Sequence, residues 1–222
     1  GPAPAIPASQ LTFAVTTLVQ RMYPSNEEPA ADGVRDASAL DPLLRGTLVH
    51  RYFELWDFQH APPDIGAFLR REKPSYHLAD RLRDTLESAV QRFMASEAWP
   101  LVTGAREILR EAPFMLRVGD AVLEGVIDVV LDGNAVLDYK TGLHRESRRL
   151  MYEAQLCLYA EAMRRLLGRL PERAWIYYVD SGELVEADIS PDRTAEVLAL
   201  AGETMKMLRN EPEPDEMEAY LQ

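Results

Sequence analysis

The sequence predicts an α/β fold: a mixed β-sheet core flanked by helices, preceded by an N-terminal helical lead-in. Three observations carry this. From about residue 106 short runs rich in Val, Ile, Leu and Tyr alternate with turn residues, in the order βββ-α-ββ-α. Before residue 100 the apolar residues recur at helical spacing. The 222 residues, 47% of them hydrophobic, suffice for one sizeable core.

Each element has its own justification. Residues 8–23 (ASQLTFAVTTLVQRMY) read as a helical lead-in with Ser9 as N-cap. The polar stretch 24–41, with Pro, Gly and Asp, reads as a mobile loop. Asp41-Pro42 opens a helix running to Phe58, with Leu44, Leu48, Tyr52 and Leu55 forming one stripe. Pro62-Pro63 stops the chain, a short helix is expected over 64–72, and a longer one spans about 76–98. Residues 106–118 read as a strand that Pro113 is expected to interrupt, and Gly119-Asp120 turns it. A hairpin follows over 124–142, then a helix over about 147–168. Residues 173–180 and 183–189 form a strand pair around Ser181-Gly182. Pro191-Asp192 opens a last helix to about 209, and 211–222 is an acidic tail expected to fray. Gly1-Pro2 reads as the remnant of a cleaved tag and is excluded.

Composition excludes several classes. No apolar run approaches the ~18 residues of a membrane span. A single cysteine, Cys157, leaves no disulfide framework, no four-cysteine zinc site and no cysteine-ligated iron–sulfur cluster; it fits a reducing, cytoplasmic setting. The net charge of −12 argues by itself against nucleic acid. Yet residues 138–173 carry eight Lys or Arg against five Asp or Glu, so the basic residues begin where the hairpin ends.

That hairpin, EGVIDVVLDGNAVLDYKTG, contains a physical problem. If its loop is Asp132-Gly133-Asn134, Leu131 faces Ala135 and Asp128 stands opposite Asp138. Like charges directly across a strand pair are unfavourable. At about 5 Å and an effective dielectric of 20 the repulsion is roughly 3 kcal/mol. Asp138 and Lys140 share a face, so a salt-bridge cluster is one answer. The apolar flanks suggest burial, and buried like charges need a cation or a shared proton. Two carboxylates suit Mg²⁺ or Mn²⁺, which leaves positions for water and a phosphate.

GVID (125–128) followed by VLDYK (136–140) resembles motifs II and III of the PD-(D/E)XK nucleases. Gln155 and Tyr159 in YEAQLCLYA resemble the QxxxY motif of the RecB-like branch. Gly46 and His50 in RGTLVHRYFEL resemble its G-x-x-x-H helix, and Glu111 in REAPF resembles its E-x-P-F strand. The motifs run in family order from residue 45 to 160 and are closest to the C-terminal nuclease domain of AddA/RecB-type helicase–nucleases. The resemblance implies a restriction-endonuclease-like fold, with residues 3–100 as lead-in, 101–210 as nuclease core and the whole a fragment of a larger helicase–nuclease. It implies Mg²⁺-dependent hydrolysis of DNA, with Mn²⁺ as substitute, no iron–sulfur cluster and no membrane. It also implies that helicase motor domains deliver single-stranded DNA, leaving a 5′-phosphate and a 3′-hydroxyl.

By resemblance, Asp128, Asp138, His50 and the Tyr139 backbone carbonyl ligate the metal, and Lys140 positions water or stabilises transition-state charge. Glu111 joins the site through water or orients Lys140; an edge-strand glutamate is the plain alternative. Gln155 and Tyr159 share one helix face and contact the active strand or a DNA phosphate. Arg145, Arg148 and Arg149 lie where phosphates would pass. Two other functions stay open: a non-catalytic module guiding DNA or docking a partner, and a carboxylate-pair glycosidase.

Overall fold

The computed structural model describes residues 12–24, 41–72, 76–142 and 144–210. The expected N-cap Ser9, most of the expected loop (25–40) and the acidic tail (211–222) lie outside them. The chain runs β1 (Thr12–Ala14), α1 (Val15–Met22), α2 (Pro42–Leu55), α3 (Ile65–Glu72), α4 (Tyr76–Ala95) and α5 (Ala98–Gly104). It continues through β2 (Ile108–Val118), β3 (Ala121–Leu131), β4 (Ala135–Lys140), α6 (Glu146–Leu167), β5 (Arg173–Tyr178), β6 (Glu183–Glu186) and α7 (Pro191–Arg209). The predicted βββ-α-ββ-α order of the second half is present.

The strands form one mixed, six-stranded sheet. β2 pairs with β3 along its full length, and β5 pairs parallel to β4 and antiparallel to β6. The other edge of β3 is shared. β1 lies parallel to its start, Val122–Glu124, and β4 antiparallel to its end, Val129–Leu131. Among the described residues, Gly125, Val126 and Ile127 therefore have a ladder partner on the β2 side only. The three-residue loop is as expected: Leu131 faces Ala135, and Asp132 and Gly133 take positive φ.

Two hydrophobic cores flank the sheet. One packs α1, α6 and α7 against it through Leu18, Leu156, Ala160, Ile176 and Val197; the other packs α2–α5 through Tyr52, Trp56, Leu86, Leu137 and Tyr177. Edge-to-face and tilted rings join the second layer to the strands, with Phe53 on Tyr139 and Phe93 on Tyr177, each pair 5.1 Å apart. The helical lead-in is thus fastened to the active strand by its own apolar stripe.

The structure corrects four expectations. Residues 12–14 are not the start of a helix but a strand, because the open edge of β3 offers main-chain partners; the helix begins at Val15 and Ala14 caps it without a side-chain bond. α2 ends at Leu55, and Phe58 turns away with φ of 61° to bury its ring against Trp56. A separate helix, α5, follows α4, with Pro100 in its first turn, where no helical N–H bond is lost. Pro113 does not interrupt β2. Among the described residues that strand has a single neighbour, so the proline costs no ladder bond on its outer side.

Candidate active site

β2 and β3 both turn over at their acidic residues. Ile127 packs into the α6-side core and Val129, two residues later, into the α2-side core, although alternate strand residues ordinarily share a face. On β2 the change coincides with Glu111, which has φ of 48°. The registers that pair Arg110 with Val129 and Val129 with Leu137 place Glu111, Asp128 and Asp138 in one row across three strands.

At this row the β3–β4 ladder gives way to side chains. The Tyr139 N–H donates to Asp128 Oδ2 at 2.7 Å. Asp138 is almost wholly buried; its Oδ2 lies 2.6 Å from the Lys140 ammonium, and its Oδ1 accepts from Gln155 Nε2 at 3.4 Å. Gln155 also donates to the Tyr159 hydroxyl, one turn on. α6 thus reaches the acids through the face expected from the Gln155–Tyr159 spacing. From the other side, α2 brings His50 Nδ1 to 3.7 Å from Asp128 Oδ2, and the imidazole also hydrogen-bonds the Tyr139 backbone.

The electrostatics follow from crowding. Burial, and then the Asp138 charge, push the Asp128 carboxyl well above its usual range; Lys140 and the Tyr139 N–H only partly offset this. The same acids raise the Lys140 ammonium against burial, so it stays charged. Burial, with the Lys140 charge second, lowers the His50 imidazole and keeps it neutral as a potential ligand. Glu111 is raised by burial, Glu54 and Asp138. The salt bridge expected as a plain alternative is therefore present, but one ammonium serves both Asp128 and Asp138, with Glu111 in the same row.

Among the described residues no three His, Cys, Asp or Glu side chains are already gathered as a metal cage. The donor set nonetheless fits a hard divalent cation. Mg²⁺ takes only one or two carboxylates, and Asp128 and Asp138 supply two that lack a full complement of positive charge. His50 and the Tyr139 carbonyl stand beside them.

A cleft of about 920 Å³ opens over the acids, along the stretch of β3 left free between β1 and β4. His50, Asp128, Asp138, Lys140, Gln155 and Tyr159 line one end; the remainder is mostly apolar, with Val15, Pro113, Phe114, Met115 and Val126 beside Thr16 and Glu124. Gly125 lets the Phe114 ring pack close there; a Cβ would stand 2.8 Å from that ring and force it to shift. A second recess between α1 and α6 continues the cleft past Lys140, lined by Gln20, Arg148 and Tyr152.

The remaining expected residues divide. Arg148 lines that recess. Arg149 is committed to Glu146 and Glu153 on its own helix. Arg145 precedes α6 as its N-cap residue, with extended backbone. Glu111 does not stand with Lys140; it faces a separate recess with Gly46, His50, Glu54 and Thr141. His144 stacks on Tyr178 and meets Glu183, so its ring is held by the protein. Sequence reasoning missed Tyr152, whose ring lies 5.1 Å from the Lys140 ammonium; its spacing of three from Gln155 on α6 was the available sign.

Comparison with known proteins agrees with this geometry. A family model described as the PD-(D/E)XK nuclease superfamily matches residues 29–221. An ATP-dependent helicase/nuclease subunit from Pelotomaculum thermopropionicum is 36% identical over 103 residues, 37% of this chain and 8% of that one. Its Clostridium botulinum (strain Langeland) counterpart is 20% identical over 182 residues, 70% of this chain and 14% of that one. The chain thus spans less than a sixth of either relative. A crystal structure from Eubacterium rectale, whose protein carries a provisional name as an exonuclease, superposes with a TM-score of 0.59 at 13% identity. It covers 89% of this chain and 79% of its own, and shows the fold.

Proposed function

This chain belongs to the PD-(D/E)XK nuclease superfamily, and from that premise we propose that it is a RecB-like, Mg²⁺-dependent deoxyribonuclease acting on single-stranded DNA. In this reading it is the nuclease part of a larger helicase–nuclease, and the motor feeds it unwound strand during the processing of double-strand breaks. One observation carries the proposal: β3, β4, α2 and α6 deliver two under-neutralised acids, a charged lysine, a neutral histidine and a glutamine to one end of a single cleft.

Asp128, Asp138, His50 and the Tyr139 carbonyl would hold the cation. When bound, the metal supplies a lowered pKa for water and polarisation of a phosphoryl oxygen. Lys140, fully charged and resting on Tyr152, stabilises the charge that develops on the phosphate during attack. Gln155 holds Asp138 by one oxygen and keeps it directed at the cleft. Hydrolysis breaks the P–O3′ bond, leaving a 5′-phosphate and a 3′-hydroxyl.

The apolar remainder of the cleft supports an unpaired substrate. Unstacked bases lie against apolar and aromatic surface, whereas a duplex keeps its bases stacked inside. Overall acidity supports delivery by a motor, since an acidic body attracts DNA poorly. The test is degradation of labelled single-stranded and duplex DNA. Cleavage of the single strand with Mg²⁺, none with EDTA and none by Asp138→Ala is the expected result; EDTA-resistant cleavage would refute it.

A further inference from the structure

The acids and His50 arrive on separate elements, and something must hold those elements in register. At the end of the sheet where β4 and β5 finish together, Val179 N donates to Lys140 O at 3.0 Å, so the chain after Lys140 and the turn after Tyr178 lie side by side. Asp180 is in that turn. Its Oδ2 accepts from Gly142 N at 2.6 Å, and its Oδ1 meets the Arg45 guanidinium from the first turn of α2. Next to Arg45, Gly46 presses so closely on the same strand end that a Cβ would stand 2.9 Å from Thr141 Oγ1.

We propose that Asp180 is a positioning residue: one carboxylate ties the helix carrying His50 to the strand end carrying Asp138, Tyr139 and Lys140. The proposal rests on the metal-dependent reading of the site. Gly142 follows Lys140 by two residues, and Arg45 precedes His50 by five, about 7 Å along a helix. A shift at the tether therefore passes directly to the distance between the imidazole and Asp128. Both partners are mostly shielded, with side chains 27% and 18% exposed, so water replaces the contact poorly. Burial, and after it the nearby Arg92 charge, lower the Arg45 guanidinium, and Arg92 donates to Val179 O, so two cations converge on this turn. Without Asp180, Arg45 is pushed off the strand end rather than merely released.

Titration of Mn²⁺ into the DNA-free protein, alongside thermal unfolding, tests this. Asp180→Asn keeps an acceptor for Gly142 and should unfold within a few degrees of wild type, yet lose about tenfold in Mn²⁺ affinity, as when a ligand's supporting contact goes. The coupling with His50 separates positioning from general structure. His50→Ala should cost about tenfold in the wild type and less than twofold on top of Asp180→Asn, because a misplaced imidazole has little left to lose. Arg45→Gln should behave like Asp180→Asn and replaces it if that variant fails to fold, while Arg45→Lys should recover part of the affinity. Unchanged affinity in these variants, or additive losses with His50→Ala, overturns the tether alone. A wild type that binds no Mn²⁺ overturns both the tether and the metal-dependent reading.

Discussion

Glu153 and Glu161 on α6 are buried, as Asp138 is, yet their surroundings are opposite. Glu153 is met by Arg149 and Arg193 at 3.1 and 2.9 Å, and Glu161 by Arg164 and Arg165 at 2.6 and 2.8 Å. Each helix acid has two guanidinium groups upon it, and its arginines hold Glu161 below the usual carboxylate range. Asp128 and Asp138 share one ammonium, with Glu111 beside them, and Asp128 is forced upward. A buried carboxylate saturated by its own chain is a fastening. One left short of positive charge is ready to receive it from outside.

The most severe way to break the contrast is Asp138→Ala. Cleavage of single-stranded DNA should fall on the order of 1,000-fold, while the domain stays folded. A labelled-oligonucleotide assay with a melting curve checks both halves. Lys140→Ala should cut turnover about 100-fold and leave Mn²⁺ affinity nearly intact, since an ammonium cannot ligate a cation; calorimetry would expose an equal loss of binding. His50→Ala should cost about tenfold in Mn²⁺ affinity and less in Mg²⁺, because imidazole suits Mn²⁺ better. In the wild type, that affinity should decline only below the ordinary histidine value of about 6.5, since burial and Lys140 hold His50 down.

The gentlest test compares signs. The Asp128 pKa is raised on folding, so its ionisation destabilises the fold as pH climbs from about 3.8 through the raised value. Asp128→Asn should therefore raise the melting temperature by a few degrees at pH 7 without metal, and the gain should vanish towards pH 4. The Glu161 pKa is lowered on folding, so its stabilisation is present above about 4.5 and disappears as pH falls through the lowered value. Glu161→Gln should lower the melting temperature at pH 7 by a few degrees, about 1 kcal/mol for arginines half open to water. Shifts in the same direction would remove the distinction between the two kinds of acid.

Much of this was legible because it is local. The three-residue loop and the strand spacing of two put Asp128, Asp138 and Lys140 together, and the four-residue spacing on α6 put Gln155 and Tyr159 on one face. Pro191 marked the start of α7, because its fixed φ suits a first helical position. What escaped depends on distant partners. β1 is a strand only because β3 has a vacant edge, and nothing in Thr12-Phe13-Ala14 announces it. The change of face at Glu111 and Asp128 overrides the strand period. Asp180 reads only as the last strand residue before Ser181-Gly182, and Arg45 as one more residue of its helix; they meet across 135 residues of chain.

The edge that β3 divides between β1 and β4 also bears on how the molecule behaves in a crowd of its own kind. Unpaired main-chain amides beside a groove are a template on which a second polypeptide can add a strand. β1 keeps that template short, and the exposed Glu124, where β1 stops, places a charge at its rim. Removing the chain through Ala14 would lengthen the vacant edge back to Val122. Light scattering on such a truncation should then show growth with concentration, faster still with Glu124→Val. In this view three residues of strand act as a stopper against self-association, at the mouth of a cleft that must remain open.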